Sequence, residues 1–193
     1  MNSRHSFWFS VISLIILVGC LFGLGYWGSK QSIKLPSLSS NIQPGFYKVT
    51  EFNDGDTITI NMNGTQEKVR LIGVDTPETQ DPRKPVQCFG KAASDFTKNL
   101  IGNNNVRLEA DPLNTNRDRY DRLLRYVYLP NGQLVNAEII KQGYGFAYTS
   151  FPFEKKDEFK AYETQARDSN TGLWGTCQPK QNEYGGYTSN DQN

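Results

Sequence analysis

Histidine is almost missing from this chain of 193 residues, which has one, His5, ahead of a long apolar run. Mechanisms that need an imidazole base are therefore excluded for the rest of the chain: serine triads, cysteine–histidine hydrolases and histidine-based phosphate chemistry. Cysteine is nearly as scarce, with Cys20, Cys88 and Cys177, and no Cys/His cluster has zinc-ligand spacing. Neither sign of charge dominates: 21 Lys and Arg face 20 Asp and Glu, a net of +1. No global basic field exists, so any interaction with nucleic acid rests on where particular charges sit. There is no internal repeat. What remains for chemistry is carboxylates, arginines and, with them, a hard metal ion.

The ends of the chain differ from its middle. After a short segment, 1–6, Phe7–Trp27 runs without a charge and is long enough to cross a bilayer as a helix. Arg4 precedes it and Lys30 and Lys34 follow, so orientation by charge is only weakly decided. It reads as a retained transmembrane anchor, a cleaved signal, or a lipoprotein box (Leu17-Val18-Gly19-Cys20) that would lipidate Cys20. A core helix would instead bury a rod with no polar face. Each of the three export readings puts the remainder outside the cytoplasm, anchored at a bacterial membrane or secreted. Residues 28–43, rich in Ser, Gly and Pro, read as a linker; 44–177 as the folded domain; 178–193 as a polar, disordered tail. In an oxidising compartment Cys88 and Cys177 suggest a bridge, with two buried free thiols as the alternative.

Within the domain the pattern switches between period 2 and period 3.6. Phe46–Phe52, Thr57–Met62 and Glu67–Val74 read as strands, the first two separated by Asn53-Asp54-Gly55 and the last two by the hairpin signal Asn63-Gly64. Phe89, Ala92, Ala93, Phe96 and Leu100 fall at helical spacing, stopped by Gly102. Val106–Glu109 and Leu123–Leu129 are two further strands. Asn136 reads as the cap of a short helix closed by Gly143, and Glu154–Arg167 as a last amphipathic helix. Five strands with a helix after the third predict an OB-type β-barrel with about three helices packed outside.

The carboxylates and arginines sit at the ends of these strands. Asp56 lies where a turn enters the second strand and Asp75 where the third leaves the barrel. Convergence of those strand ends would let the two acids hold a hard cation such as Ca2+, completed by a backbone carbonyl and waters. Glu78 follows Pro77, which turns the chain and can aim a third carboxylate back to orient or deprotonate water. Arg70 and Arg122 offer planar forks for phosphate oxygens. DGDT alone reads as a turn, DTPE alone as a capped loop, and Asp118-Arg119-Tyr120-Asp121-Arg122 alone as a solvated charge run. Their joint order is the signal, and it points to phosphodiester hydrolysis.

DGDTITI, VRLIGVDTPET, FGKAASDFTKNL, RDRYDRLLRYVYLPNGQLVN and QGYGFAY together resemble the staphylococcal nuclease (thermonuclease) family over roughly Pro44 to Trp174. The resemblance implies a five-stranded OB-type barrel with three helices and Ca2+-dependent, nonspecific endonuclease cleavage of DNA and RNA, leaving 3′-phosphate ends. It implies Asp56, Asp75 and the Thr76 carbonyl as calcium ligands, and Arg70, Glu78 and Arg122 as catalytic residues. Arg119 and Tyr120 match positions near the nucleotide's phosphate end, and Tyr148 an aromatic that packs near the base. Asp121 stands where a glycine is usual, and Ser150 where a second tyrosine is usual. The membrane segment and the cysteine pair are additions. No obligate protein partner is expected, and the chain is expected to be a monomer. The alternative is a catalytically weak barrel that binds nucleic acid or protein at the membrane; such a domain would be expected to lack one of the five ligand and catalytic side chains, and none is missing here.

Overall fold

A computed structural model describes residues 45–79, 85–183 and 185–191. The expected segments 1–6, 7–27 and 28–43 lie outside them. Among the described residues no helix is long and apolar enough to cross a membrane.

Alternation of apolar residues drives the first three strands: β1 (Phe46–Phe52), β2 (Thr57–Met62) and β3 (Thr65–Leu71). Asn63 and Gly64 both adopt positive φ, 55° and 97°, which is the two-residue turn that joins β2 to β3 without splaying them. β5 (Asn105–Glu109) and β6 (Leu123–Tyr128) complete a closed barrel in the order β1-β2-β3-β6-β5. All neighbours are antiparallel except β3 and β6, where Val69, Arg70 and Leu71 lie opposite Leu123, Leu124 and Arg125 in parallel register. This is the five-stranded barrel expected.

The expected strand Glu67–Val74 is interrupted. Gly73, at φ 72°, turns the chain so that Val74–Asp75 forms a separate short strand, β4, paired with β7 (Phe146–Ala147). A Cβ at Gly73 would lie 2.7 Å from the Phe153 ring. The turn and this close packing demand glycine, and together they carry Asp75 off the barrel wall.

Among the described residues there are four helices where about three were expected: α1 (Gly90–Ile101), α2 (Val135–Lys141), α3 (Lys156–Asp168) and the single turn α4 (Leu173–Thr176). Ile58, Ile60, Val69, Leu71, Val106 and Val127 of the barrel strands share one buried core with Ile139 and Ile140 of α2. Each such fully buried side chain contributes about 1.5–3 kcal/mol. Asn136 is not a cap. It is fully buried, its Oδ1 accepting Val127 N–H at 2.9 Å and its Nδ2 donating to the carbonyls of Ile72 and Arg125 at 2.9 and 3.2 Å. It ties α2 to the chain just before Asp75, while Leu134 occupies the cap position.

A second apolar cluster holds Phe146, Ala166, Leu173, Trp174 and Cys177. Cys177 is joined to Cys88 by a disulfide, so the free-thiol alternative is not realised. The polar tail expected to be disordered is folded in its described part. β8 (Lys180–Gln181) pairs with β9 (Tyr187–Thr188), and Ser189 is buried. Tyr187 supplies the reason: its ring packs edge-on against Trp174 at 4.9 Å, an anchor the low hydropathy of the tail conceals.

Candidate active site

Asp56 reaches the site because the Asn53–Asp56 turn is pinned from three sides. Asp54 accepts the Asp56 N–H at 3.1 Å, a local Asx turn. Thr97, fully buried on α1, donates its hydroxyl to the Gly55 carbonyl at 2.6 Å. A Cβ at Gly55 would lie 2.8 to 2.9 Å from Thr76 side-chain atoms, so glycine alone lets the turn sit against the segment that carries Asp75.

Four of the expected residues form one hydrogen-bonded chain. Arg70 Nη1 lies 2.7 Å from Asp56 Oδ2, and its Nη2 lies 3.2 Å from Asp75 Oδ1. Thr57 Oγ1 donates to Asp56 Oδ1 at 3.0 Å and accepts from Arg122 Nη1 at 3.4 Å. The run Arg122–Thr57–Asp56–Arg70–Asp75 thus joins the residue just before β6 to β2, β3 and β4. Thr76, the remaining expected ligand, is fixed to the same acid, its N–H donating to Asp56 Oδ2 at 2.9 Å. Asp118 orients Arg122, accepting Nε at 2.7 Å and Nη2 at 2.6 Å; burial pushes its carboxyl up, but these bonds, the N–H groups of Arg122 and Tyr120 and the Arg122 charge together hold it below the usual range.

Glu78 stands beside this chain. Its N–H donates to Gln87 Oε1 at 2.8 Å and its own Oε1 accepts the Thr79 N–H at 2.9 Å. Burial pushes Asp75 up to about 6 against the pull of Arg70, and the charges of Asp56 and Glu78 push the same way, so Glu78 lies within electrostatic reach. Asp75 keeps 45% of its side chain exposed, so solvent screens part of that push. Asp54 is raised to about 7 by burial and then by Asp56.

The expected substrate-side residues lie at the rim. Tyr120 is 64% exposed and Tyr148 40% exposed. Arg119 donates to the Tyr120 hydroxyl at 2.8 Å and lies 4.8 Å over its ring, while Arg122 lies 5.3 Å from the same ring. Tyr148 is set by its N–H on the Gly73 carbonyl at 2.9 Å, and its ring lies 5.8 Å from Phe151, an exposed aromatic that sequence reasoning passed over. Asp121 pairs with neither Arg119 nor Arg122 in the structure. It has φ 63°, the left-handed region that glycine favours, and its carboxylate lies 3.6 Å from Arg117.

Asp54, Asp118 and Gln87 were not assigned roles from sequence. Asp118 had a usable signal, four residues before Arg122; Gln87 had none.

A family model described as staphylococcal nuclease homologue matches residues 68–176. The chain is 38% identical over 163 residues to a thermonuclease of Staphylococcus hyicus, covering 83% of this chain and 95% of that one. A thermonuclease of Staphylococcus intermedius is 40% identical over 137 residues, covering 70% of this chain and 80% of its own. The chain belongs to the staphylococcal nuclease family. Another relative, endonuclease YncB of Bacillus subtilis, is 39% identical over 123 residues, 63% of this chain and 57% of its own. Membership in the staphylococcal nuclease family carries nuclease-type hydrolysis at the level of the family.

Proposed function

We propose that this chain is a calcium-dependent endonuclease that hydrolyses phosphodiester bonds of DNA and RNA without sequence preference, leaving 3′-phosphate ends, outside the cytoplasm. The observation that carries the reading is the continuous chain from Arg122 through Asp56 and Arg70 to Asp75. It gathers two forks and two carboxylates, from β3, β4 and the segments that lead into β2 and β6, into one place.

The donor set fits calcium. Among the described residues no group of three or more His, Cys, Asp or Glu side chains forms a metal cluster. Asp56, Asp75 and the Thr76 carbonyl would hold the ion as an oxygen-only, water-rich set, which suits Ca2+ better than zinc. Both carboxylates already face one positive group, Arg70, so they can share a cation. Bound there, calcium would supply Lewis-acid polarisation of the phosphate.

The remaining roles belong to side chains. Arg70 and Arg122 present planar forks to the phosphate oxygens, neutralising charge that grows in the transition state. Glu78 orients a water and takes its proton. Arg119 and Tyr120 hold the phosphate end of the nucleotide, and Tyr148 offers its ring to a base, a contact indifferent to sequence. The segment 7–27 attaches the protein to the membrane or directs its export, and the domain acts as a monomer.

Incubating the full chain with plasmid DNA or RNA, with calcium and then with chelator, tests this. Cleavage should require calcium, and Glu78→Gln should lower kcat by roughly 10²–10⁴-fold, the usual worth of a positioned base. Equal cleavage under chelator would remove the metal, and unchanged turnover in the variant would remove Glu78 as base.

A further inference from the structure

The backbone of Glu78 is bonded to a residue outside the chain of forks and acids. Glu78 N–H donates to Gln87 Oε1 at 2.8 Å, and Gln87 N–H donates back to the Glu78 carbonyl at 3.0 Å. Gln87 thereby closes both polar groups of the Glu78 backbone.

Gln87 is itself held from the other end of the protein. Its Nε2 donates to the Ser189 carbonyl at 3.4 Å, and the residue bridges Asp191 in antiparallel register. The next residue repeats the pattern. Cys88 N–H donates to the Asn190 carbonyl at 2.7 Å, and the Cys88 carbonyl accepts the Ser189 hydroxyl at 2.7 Å. The disulfide then ties Cys88 to Cys177, whose carbonyl accepts Asn190 Nδ2 at 2.8 Å. Residues 87–88 are enclosed by Glu78 on one side and by 189–191 on the other.

The same tail reaches the neighbourhood of Asp75. Tyr187 stacks on Phe146 with ring centres 6.4 Å apart, and its hydroxyl accepts Arg167 Nη1 at 2.8 Å. Phe146 is the residue paired with Asp75 across β4 and β7. Ordering a polar tail costs backbone entropy, and here directed bonds and one partly buried ring offset it.

We infer that Gln87 is a positioning residue for Glu78, held in register by the tail 187–191 and the Cys88–Cys177 bridge. The inference rests on the proposed role of Glu78. Two hydrogen bonds fix where the Glu78 Cα sits, and a shift on the order of 1 Å in a catalytic group can cost about 10²-fold in rate.

The test uses the full chain in mild detergent with a fluorogenic DNA oligonucleotide at saturating calcium. It compares wild type, Gln87→Met, Glu78→Gln and the double variant. Methionine keeps the length of the side chain and loses its bonds to the Glu78 N–H and the Ser189 carbonyl, while the backbone bond from Gln87 N–H to Glu78 remains. Gln87→Met should lower kcat roughly 5- to 50-fold with KM held within about twofold. In the Glu78→Gln background the same change should cost less than about twofold, because there is no base left to misplace. Reducing the wild-type disulfide, at a temperature where circular dichroism reports a folded protein, should give the same kcat-selective loss, reversed on reoxidation.

Wild-type kcat in Gln87→Met beside an inactive Glu78→Gln overturns the positioning role and leaves Glu78 standing. A fully active Glu78→Gln removes the base and this inference with it. An equal loss in both backgrounds marks a general structural effect and also overturns it. Should Gln87→Met fail to fold, the reduction arm decides alone: unchanged kcat in folded, reduced protein refutes the strap.

Discussion

Thr97→Val removes one hydrogen bond from beneath the Asp56 turn and nothing else. Thr97 is fully buried on α1, and its hydroxyl is 2.6 Å from the Gly55 carbonyl, forty-two positions away. Valine has almost the same shape and a similar helix preference, so no cavity opens and α1 is not weakened. The loss is therefore the net bond plus the cost of leaving a buried carbonyl without its donor, about 1–3 kcal/mol. For a domain of this size that lowers Tm by roughly 3–8 °C. Urea unfolding followed by tryptophan fluorescence, with the disulfide intact, would read it as a lower midpoint at constant slope. Because Gly55 separates Asp54 from Asp56, the variant should also bind calcium more weakly. A stability change below about 0.5 kcal/mol, the range of an ordinary surface substitution, would refute the claim that α1 pins this turn.

Asn136→Leu strips three hydrogen bonds from a fully buried position and should cost on the order of 3–5 kcal/mol by chemical denaturation; a loss under about 1 kcal/mol would mean those backbone groups find other partners. Asp121→Gly should leave stability within about 1 kcal/mol, since glycine accepts φ 63° and the exposed pair with Arg117 contributes little. Asp121→Val should be about 1–2 kcal/mol less stable than Asp121→Gly, since a Cβ is disfavoured in that conformation, and equal melts of the two variants would contradict the strained geometry. Replacing both cysteines by serine should lower stability by about 4–5 kcal/mol for a loop of 89 residues on the chain-entropy account, read as the change in urea midpoint.

The barrel was legible because its signals are local. Ile58 and Ile60 alternate with Thr57 and Thr59, and Asn63-Gly64 names its own turn, so the five strands could be read along the chain, whereas the parallel pairing of β3 with β6 could not. The break at Gly73 was not legible, because Val69, Leu71, Ile72 and Val74 are all apolar and only the clash with Phe153 demands the turn. Asn136 has the composition of a cap, and three distant backbone groups made it a core residue instead. The tail was misread for a related reason: a single tyrosine anchors a segment that is otherwise polar. At the site, Asp56, Asp75, Arg70 and Arg122 could be picked from their order, and their meeting through Thr57 could not.

The resting charge balance turns on Arg70. Its side chain is only 14% exposed, and burial disfavours its charge, yet the carboxylates of Asp56, Asp75 and Asp54, in that order, more than compensate and hold the proton on. One guanidinium faces three aspartates, so the pocket is short of positive charge. Burial, with the neighbouring Asp56 charge adding to it, pushes Asp54 up to about 7 and Asp75 up to about 6 against the opposing pull of Arg70. Such a pair is poor evidence of stability, because desolvation offsets most of the attraction. Its arrangement makes better sense as a functional constraint. Arg70 gives Nη1 to Asp56 and to the Val74 carbonyl, and Nη2 to Asp75. A phosphate oxygen must compete with those acceptors for the same fork. On the proposed reading, Arg70 turns to a phosphate where another cation takes over the two acids, and that exchange relieves the shortfall as well. Cation and phosphate should therefore favour each other's binding by the same factor, as linkage requires.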